Sequence, residues 1–323
     1  MRRALVIGAA GQDGRLLARL LLDRNYVVSG WTREKPTTAL PCESASMDLL
    51  QADAVEQELR MLHPDEIYYL AAFHHSTEDV IAHNASELLR RSFDVHVTGL
   101  INVLQTLKAS GQKARLFYAA SSHVFGAAAG EWQDEGTALH PESPYGISKA
   151  AGIQCCRLYR CQEGVFAATG ILFNHESVLR KPSFLSQKIV RGALQACRDP
   201  TYQLALGDLE ARVDWGYAPD YVDAMWRILQ LSEASDFVVA SGELHTVREF
   251  AQAAFGALGL DWSRHVVTDA RLLKKRSSNP LRGDFKKLRA ATGWSPTIGF
   301  TEMVRRLVRE AKNHSAGIAP DLT

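Results

Sequence analysis

The chain has 323 residues, 46% hydrophobic and 23% charged, with a formal net charge of +1. This is the make-up of a globular protein of one large or two small domains, and it argues against a nucleic-acid or membrane-surface partner. Five cysteines without a Cys-x-x-Cys pair argue against a disulfide framework or a zinc site and fit a reducing, cytoplasmic setting. The apolar run 4–7 after Arg2-Arg3 stops at Gly11-Gln12-Asp13, so no signal peptide is expected. No stretch approaches the ~18 apolar residues of a membrane helix.

Residues 3–7 read as a first strand and 15–22 as an amphipathic helix, with Gly8, Gly11 and Gly14 spaced three apart between them. Glycines at such a junction let the backbone approach a pyrophosphate and present the helix N-terminus to its charge. The loop 8–14, including Gln12 and Asp13, is therefore a candidate dinucleotide site; a plain glycine-rich turn is the alternative. Residues 26–31 read as the second strand. Arg33 follows, where NAD-selective folds carry an acid for the ribose. An arginine there suits a 2′-phosphate and favours NADP, while the adjacent Glu34 keeps NAD open. Residues 35–43 read as loop, and Met47-Asp48-Leu49 as the end of a third strand. Asp48 is placed to reach the adenine edge or to sit in a solvated turn.

Residues 53–62 read as a helix stopped by Pro64, and 66–70 as a strand. Leu70, Ala71 and Ala72 then admit a cofactor closely. His74 and His75 tempt a metal reading, but nothing at helical spacing completes a ligand set. No metal is expected, and His75 is assigned to the substrate pocket. Residues 87–109 read as one long helix capped by Gly111. The apolar run 116–120 reads as a buried strand ending in Ser121-Ser122, at the edge where open α/β sheets bind ligands.

After a loop, Ser143-Pro144 starts a helix running to 162. Tyr145 and Lys149 share one face of it, a turn apart. A lysine ammonium beside a tyrosine favours the phenolate, so a lowered tyrosine pKa and a usable general acid/base are expected. A strand at 165–172 completes an alternation of strand and helix that indicates an α/β fold with a doubly wound parallel sheet. The pattern then changes: helix 183–197, strand 202–206, polar loop 207–216, helix 221–231, strand 237–240, helix 247–258 and a closing helix at 299–312. Lys274-Lys275-Arg276 is either a solvated face or a phosphate clamp.

The glycine fingerprint, the Ser-Ser strand end and Tyr145/Lys149 together resemble an extended short-chain dehydrogenase/reductase with a Rossmann domain. Within that superfamily several segments resemble the GDP-mannose 4,6-dehydratase group. They are Gly11-Gln12-Asp13-Gly14, Ser143-Pro144-Tyr145-Gly146, Phe173-Asn174-His175-Glu176-Ser177, Asp214-Trp215-Gly216 and Val247-Arg248-Glu249-Phe250. The resemblance implies a GDP-sugar enzyme acting at C4 through tightly held NADP. Tyr145 would take the C4 hydroxyl proton, Ser121 would hold the C4 oxygen, Ser122 would stand beside it, and a base would remove the C5 proton as water leaves C6. It implies substrate contacts at His75, Asn174, Glu176, Ser177, Arg180, Lys188, Arg212 and Arg276, and a homo-oligomer, dimer or tetramer. The expected division is a cofactor domain over 1–173 and about 215–240, with a smaller C-terminal α/β nucleotide-sugar part over 174–214 and 241–323.

Three departures stand out. His123 replaces the group's glutamate base, Val213 replaces the arginine before Asp-Trp-Gly, and 274–279 replaces an Arg-Pro-x-Glu-Val-Asp segment. They keep open a GDP-hexose or GDP-heptose C4 dehydrogenase, 4-keto reductase or epimerase. A non-catalytic Rossmann sensor or subunit is a third reading, against which the intact Tyr145, Lys149 and Ser121 argue.

Overall fold

The structure is a computed structural model and describes residues 1–73, 84–126, 128, 130–272 and 280–315. Its first half alternates strand and helix: β1 (Arg3–Ile7), α1 (Gln12–Asp23), β2 (Val27–Thr32), β3 (Glu43–Ser46), α2 (Ala52–Leu62), β4 (Glu66–Tyr69), α3 (Ala85–Phe93), α4 (Gly99–Ser110), β5 (Arg115–Ser121), α5 (Pro144–Gln162) and β6 (Ala167–Leu172). There follow β7 (Asn174–Glu176), α6 (Leu185–Arg198), β8 (Leu204–Leu206), β9 (Arg212–Tyr217), α7 (Ala218–Gln230), β10 (Asp236–Val239), β11 (Leu244–Thr246), α8 (Val247–Gly256), β12 (Val266–Thr268), α9 (Lys286–Thr292) and α10 (Phe300–Ser315).

Among the described residues a seven-stranded sheet runs in the order β10-β6-β5-β4-β1-β2-β3, with every pairing parallel. This is the doubly wound sheet expected from the alternation of elements. Strand order reverses direction between β1 and β4, so the loop after β1 and the segment after β4 open side by side at the carboxyl edge. Side chains alternate between its two faces. Leu5, Ile7, Tyr69 and Tyr118 join Val103 and Ile153 in one cluster. Ala4, Val6, Tyr68 and Phe117 join Leu17 and Met225 in the other. A third cluster gathers Ile189, Leu206, Phe250, Val304 and Leu307 from α6, β8, α8 and α10. Among the described residues no helix is long and apolar enough to cross a membrane.

Three sequence readings are corrected. The stretch 207–216 is not all loop, because β9 lies between β11, antiparallel, and β7, parallel. Its polar Asp214 hid the strand, and this carboxylate is buried. It accepts from the Ser241 amide at 2.9 Å, the Ser241 hydroxyl at 2.6 Å, and the Gly242 and Gly283 amides at 3.1 Å each. The third strand is Glu43–Ser46, inside and just after the supposed loop. All four of its residues are exposed, so no apolar alternation marks it. The long helix 87–109 is interrupted by a π-helical turn at Asp94–Thr98. Val95, Val97 and Thr98 are β-branched and precede Gly99, a poor local sequence for an undisturbed α-helix. Two carbonyls at the turn accept from phenols: Tyr69 donates to Val95 O at 2.5 Å and Tyr118 to His96 O at 3.2 Å.

Asp214 ties β9 to the turns at 241–242 and 283. Asp214→Ala should leave three backbone amides without their acceptor and cost about 3 kcal/mol, each buried unmade bond being worth ~1–3 kcal/mol. Denaturant titration reads this directly; a loss below ~0.5 kcal/mol would show that the carboxylate is dispensable.

Candidate active site

β5 ends at Ser121, and a single 3₁₀ turn, Ser122–Val124, carries the chain beneath the start of α5. Ser143 caps α5 by accepting the Gly146 amide at 3.1 Å, and Pro144 lies in its first turn. Gly146 is required by this packing: a Cβ there would lie 2.5 Å from the His123 carbonyl oxygen. The close approach brings Tyr145 to the Ser121 hydroxyl, which hydrogen-bonds its phenol. The Tyr145 ring stands edge to face with two imidazoles, His96 at 5.2 Å and 89°, and His123 at 5.7 Å and 87°. Lys149 Nζ is 5.8 Å from the Tyr145 ring centre and donates to Ala119 O at 2.6 Å. Ser121, Ser122 and Lys149 are buried, whereas His123 keeps accessible surface in the cleft.

The electrostatics differ from expectation. Lys149 does not lower Tyr145. Burial pushes the Tyr145 phenol up to about 12, only partly offset by the Arg180 charge and the Ser121 hydrogen bond. The same dry surroundings destabilise the Lys149 ammonium and bring it down to about 7. His123 is lowered, by the density of protein around it and then by Arg180.

The loop after β1 folds tightly against the segment after β4. Gly8 has φ +95°, and a Cβ on it would meet the Ala71 nitrogen at 2.8 Å; a Cβ on Gly14 would meet Gly8 O at 2.4 Å. Gly11 donates its amide to Gly8 O at 3.0 Å. Among the described residues no side chain caps α1, so its first amides can receive a phosphate. This bare cradle, bordered by Leu70, Ala71 and Ala72, fits a dinucleotide cofactor. At the far end Arg33 is exposed and pairs with the equally exposed Glu34 at 3.0 Å. Asp48 opens a turn, accepting from the Leu50 amide at 3.0 Å, and Leu49 O accepts from Asn102 at 2.8 Å.

Gln12 and Asp13 reach across to the segment after β6. Gln12 Oε1 accepts from Ser177 N at 3.1 Å and Ser177 Oγ at 2.9 Å, while its Nε2 donates to His175 O at 3.1 Å. His175 bridges Phe173 O through Nδ1 at 2.7 Å and Asp13 through Nε2 at 2.9 Å. Burial raises Asp13, but the His175 charge and its hydrogen bond, with help from Gln12 and Arg180, hold the carboxyl at about 2. Glu176 is buried, accepts from Ser186 Oγ at 2.5 Å and lies 3.4 Å from Arg180 Nε. Arg180 Nη1 donates to His175 O at 3.2 Å, and its guanidinium covers the Phe184 ring at 4.0 Å. Asn174 begins β7 opposite Trp215, Lys188 is half-buried on α6, and Arg212 is exposed at the start of β9. The His75 and Arg276 assignments lie outside the described residues. Among the described residues no group of His, Cys, Asp or Glu is placed to hold a metal ion.

His96 was missed by the sequence reading. It is a lone imidazole inside a long amphipathic helix, and the signal was the β-branched run before Gly99 that marks the π turn.

A parallel doubly wound sheet, a glycine loop at its switch point and a Tyr-x-x-x-Lys pair beside a serine-ended strand define an extended short-chain dehydrogenase/reductase. The chain belongs to the GDP-mannose 4,6 dehydratase family, whose model matches residues 5–307. It is 36% identical to GDP-mannose 4,6 dehydratase 1 of Arabidopsis thaliana, the match covering 95% of this chain and 89% of that one. It is 31% identical to GDP-mannose 4,6 dehydratase of Homo sapiens, over 94% of this chain and 90% of the other. Among solved structures, dTDP-glucose 4,6-dehydratase from Bacillus anthracis in complex with NAD shares the fold with a TM-score of 0.84 at 17% identity, covering 98% and 99% of the two chains. RMD from Pseudomonas aeruginosa complexed with NADPH does so at 0.78 and 24% identity, covering 97% and 100%.

Arg180 lowers both His123 and Tyr145, since a cation opposes a second cation and favours a phenolate. NMR titration should therefore show His123 protonating below the ordinary 6.5, and Arg180→Gln should move it upward. Protonation of wild-type His123 at or above 6.5 would contradict this arrangement.

Proposed function

We propose that this protein is a GDP-sugar 4,6-dehydratase that works through a bound nicotinamide cofactor. The observation that carries the reading is Tyr145 held between Ser121, His123 and Lys149, next to the glycine cradle. Family membership and relatives named GDP-mannose 4,6-dehydratases in plants, animals and bacteria support it. On this reading residues 1–173 and about 215–240 serve the cofactor, and 174–214 with 241–323 serve the nucleotide sugar.

Gly8, Gly11 and Gly14 would take the pyrophosphate at the start of α1, with Leu70, Ala71 and Ala72 along the dinucleotide. The chemistry supplied by the bound nicotinamide is reversible storage of a hydride taken from C4 and returned at C6. Ser121 would hold the C4 oxygen, and the Tyr145 phenol would move the proton of the C4 hydroxyl. Burial favours the phenol at neutral pH, so Tyr145 would first give up its own proton and take the C4 proton as phenolate, the form that Arg180 and Ser121 stabilise. A ketone at C4 acidifies the C5 hydrogen. His123, lowered and so neutral at working pH, would take that proton and return it to the departing C6 hydroxyl. Arg180, Lys188 and Arg212 are the cations proposed for the diphosphate and sugar.

His123 in place of a carboxylate favours one other reading, a C4 dehydrogenase, 4-keto reductase or epimerase without loss of water. Heavy water separates the two. With GDP-mannose or GDP-manno-heptose, a dehydratase gives a product lighter by one water and carrying solvent deuterium at C5. His123→Ala should then stall before C5 exchange, and Tyr145→Phe should slow turnover by ~10² to 10⁴ while still binding cofactor. Net cofactor oxidation or reduction without deuterium at C5 would instead establish the redox reading.

NADP is the proposed cofactor. The exposed Arg33–Glu34 pair is worth only ~0–1 kcal/mol, so Arg33 is readily surrendered to a 2′-phosphate. Titration of stripped protein should show tighter NADPH than NADH binding, and Arg33→Ala should remove the difference. A preference for NADH that Arg33→Ala leaves unchanged would refute it.

A further inference from the structure

We propose that His96 is a positioning residue that couples the cofactor cradle to Tyr145, a role that rests on the assignment of Tyr145 given above. His96 is fully buried and projects from the π turn at Asp94–Thr98. Its Nε2 lies 3.0 Å from the Phe73 amide nitrogen. An amide N–H only donates, so Nε2 carries the lone pair and the ring proton sits on Nδ1. Nδ1–H then donates to Ser148 Oγ at 2.7 Å, and the Ser148 hydroxyl donates in turn to the Tyr145 backbone carbonyl at 2.9 Å. One neutral imidazole thus holds both sides of the reaction centre.

Phe73 lies two residues beyond Ala71, whose backbone, with that of Leu70, packs against Gly8. Ser148 is buried in the first turns of α5, between Tyr145 and Lys149. The His96 ring itself stands edge to face with the Tyr145 ring at 5.2 Å. The turn that carries it is fixed in its own right, because Tyr69 and Tyr118, both fully buried, hold the carbonyls of Val95 and His96. Any displacement of the 70–73 segment is therefore transmitted through a hydrogen-bonded ring to the helix turn that bears the phenol. An ordinary buried histidine would make the same bonds with no consequence for either function, and the test separates these roles.

Three variants break the two contacts selectively. Asparagine places an amide near the Nδ1 position, so His96→Asn keeps a donor for Ser148 and abandons Phe73. Glutamine reaches the Nε2 position, so His96→Gln keeps an acceptor for Phe73 and abandons Ser148. His96→Phe keeps the ring and loses both bonds. In wild type, nitrogen-15 NMR of the imidazole at neutral pH should show the neutral Nδ1–H tautomer. His96→Asn should bind NADPH ~10-fold more weakly with a nearly unchanged turnover number. His96→Gln should bind NADPH normally and turn over ~10- to 10²-fold more slowly, as expected for a slightly misplaced catalytic group. His96→Phe should show both defects.

An Nε2–H tautomer would overturn the proposal. So would variants whose affinity and turnover fall together in step with their thermal midpoints, or do not fall at all. Should wild-type protein turn over no GDP-sugar, the functional reading fails on its own, and the tautomer and NADPH titrations still decide the role of His96.

Discussion

The contacts of Gln12 and Asp13 with His175 and Ser177 fix the width of the cleft. The first pair belongs to the turn that starts α1, the second to the segment that leaves β6 for the C-terminal part. The pairing is charged at its centre. A carboxyl held at about 2 stays ionised throughout the physiological range, so Asp13 remains an acceptor for the His175 ring. Stacking of His175 on Tyr221 at 4.5 Å ties the same ring to α7. Arg180 is then held beside the site by the His175 carbonyl and by Glu176. A chain of sequence-distant partners thus places one cation next to Tyr145 and His123.

Inside the cleft, burial and charge compete, and the winner differs residue by residue. For Asp13 desolvation is the largest single influence, but the His175 charge, the hydrogen bonds from His175 and Gln12, and Arg180 together outweigh it. For Lys149 burial wins, because its ammonium donates to the Ala119 carbonyl, which supplies no full negative charge, and the more remote pull of Asp13 does not offset burial. Tyr145 falls between, with one cation and one hydroxyl failing to offset the burial of its phenol. These outcomes depend on which partner each group meets across the fold, and residue spacing on a single helix does not reveal that.

The parts of the fold legible in the sequence were those with local causes. The glycine spacing marked the cradle, Ser143-Pro144 marked the start of α5, and the apolar runs marked β1, β4, β5 and β6. What was not legible depended on distant partners. β9 carries a buried aspartate whose donors come from turns far along the chain. β3 is a fully exposed edge strand with no alternation to read. The upward displacement of Tyr145 could not follow from Tyr-x-x-x-Lys, because the spacing reports proximity and not dryness. His96 resembled any other position in a helix until the π turn aimed it at Phe73 and Ser148.

The π turn also sets a phase. A regular helix advances about 100° per residue, so one residue accommodated as a π turn rotates all that follows by that angle relative to an unbroken helix. The two halves can therefore address different neighbours: α3 packs chiefly against α5, and α4 against α2. Within 94–98 the chain's length acts as an angular setting. Removing one residue there would not merely shorten a helix. It would turn the apolar stripe of one half away from its partner, and with it the ring that joins Phe73 to Ser148.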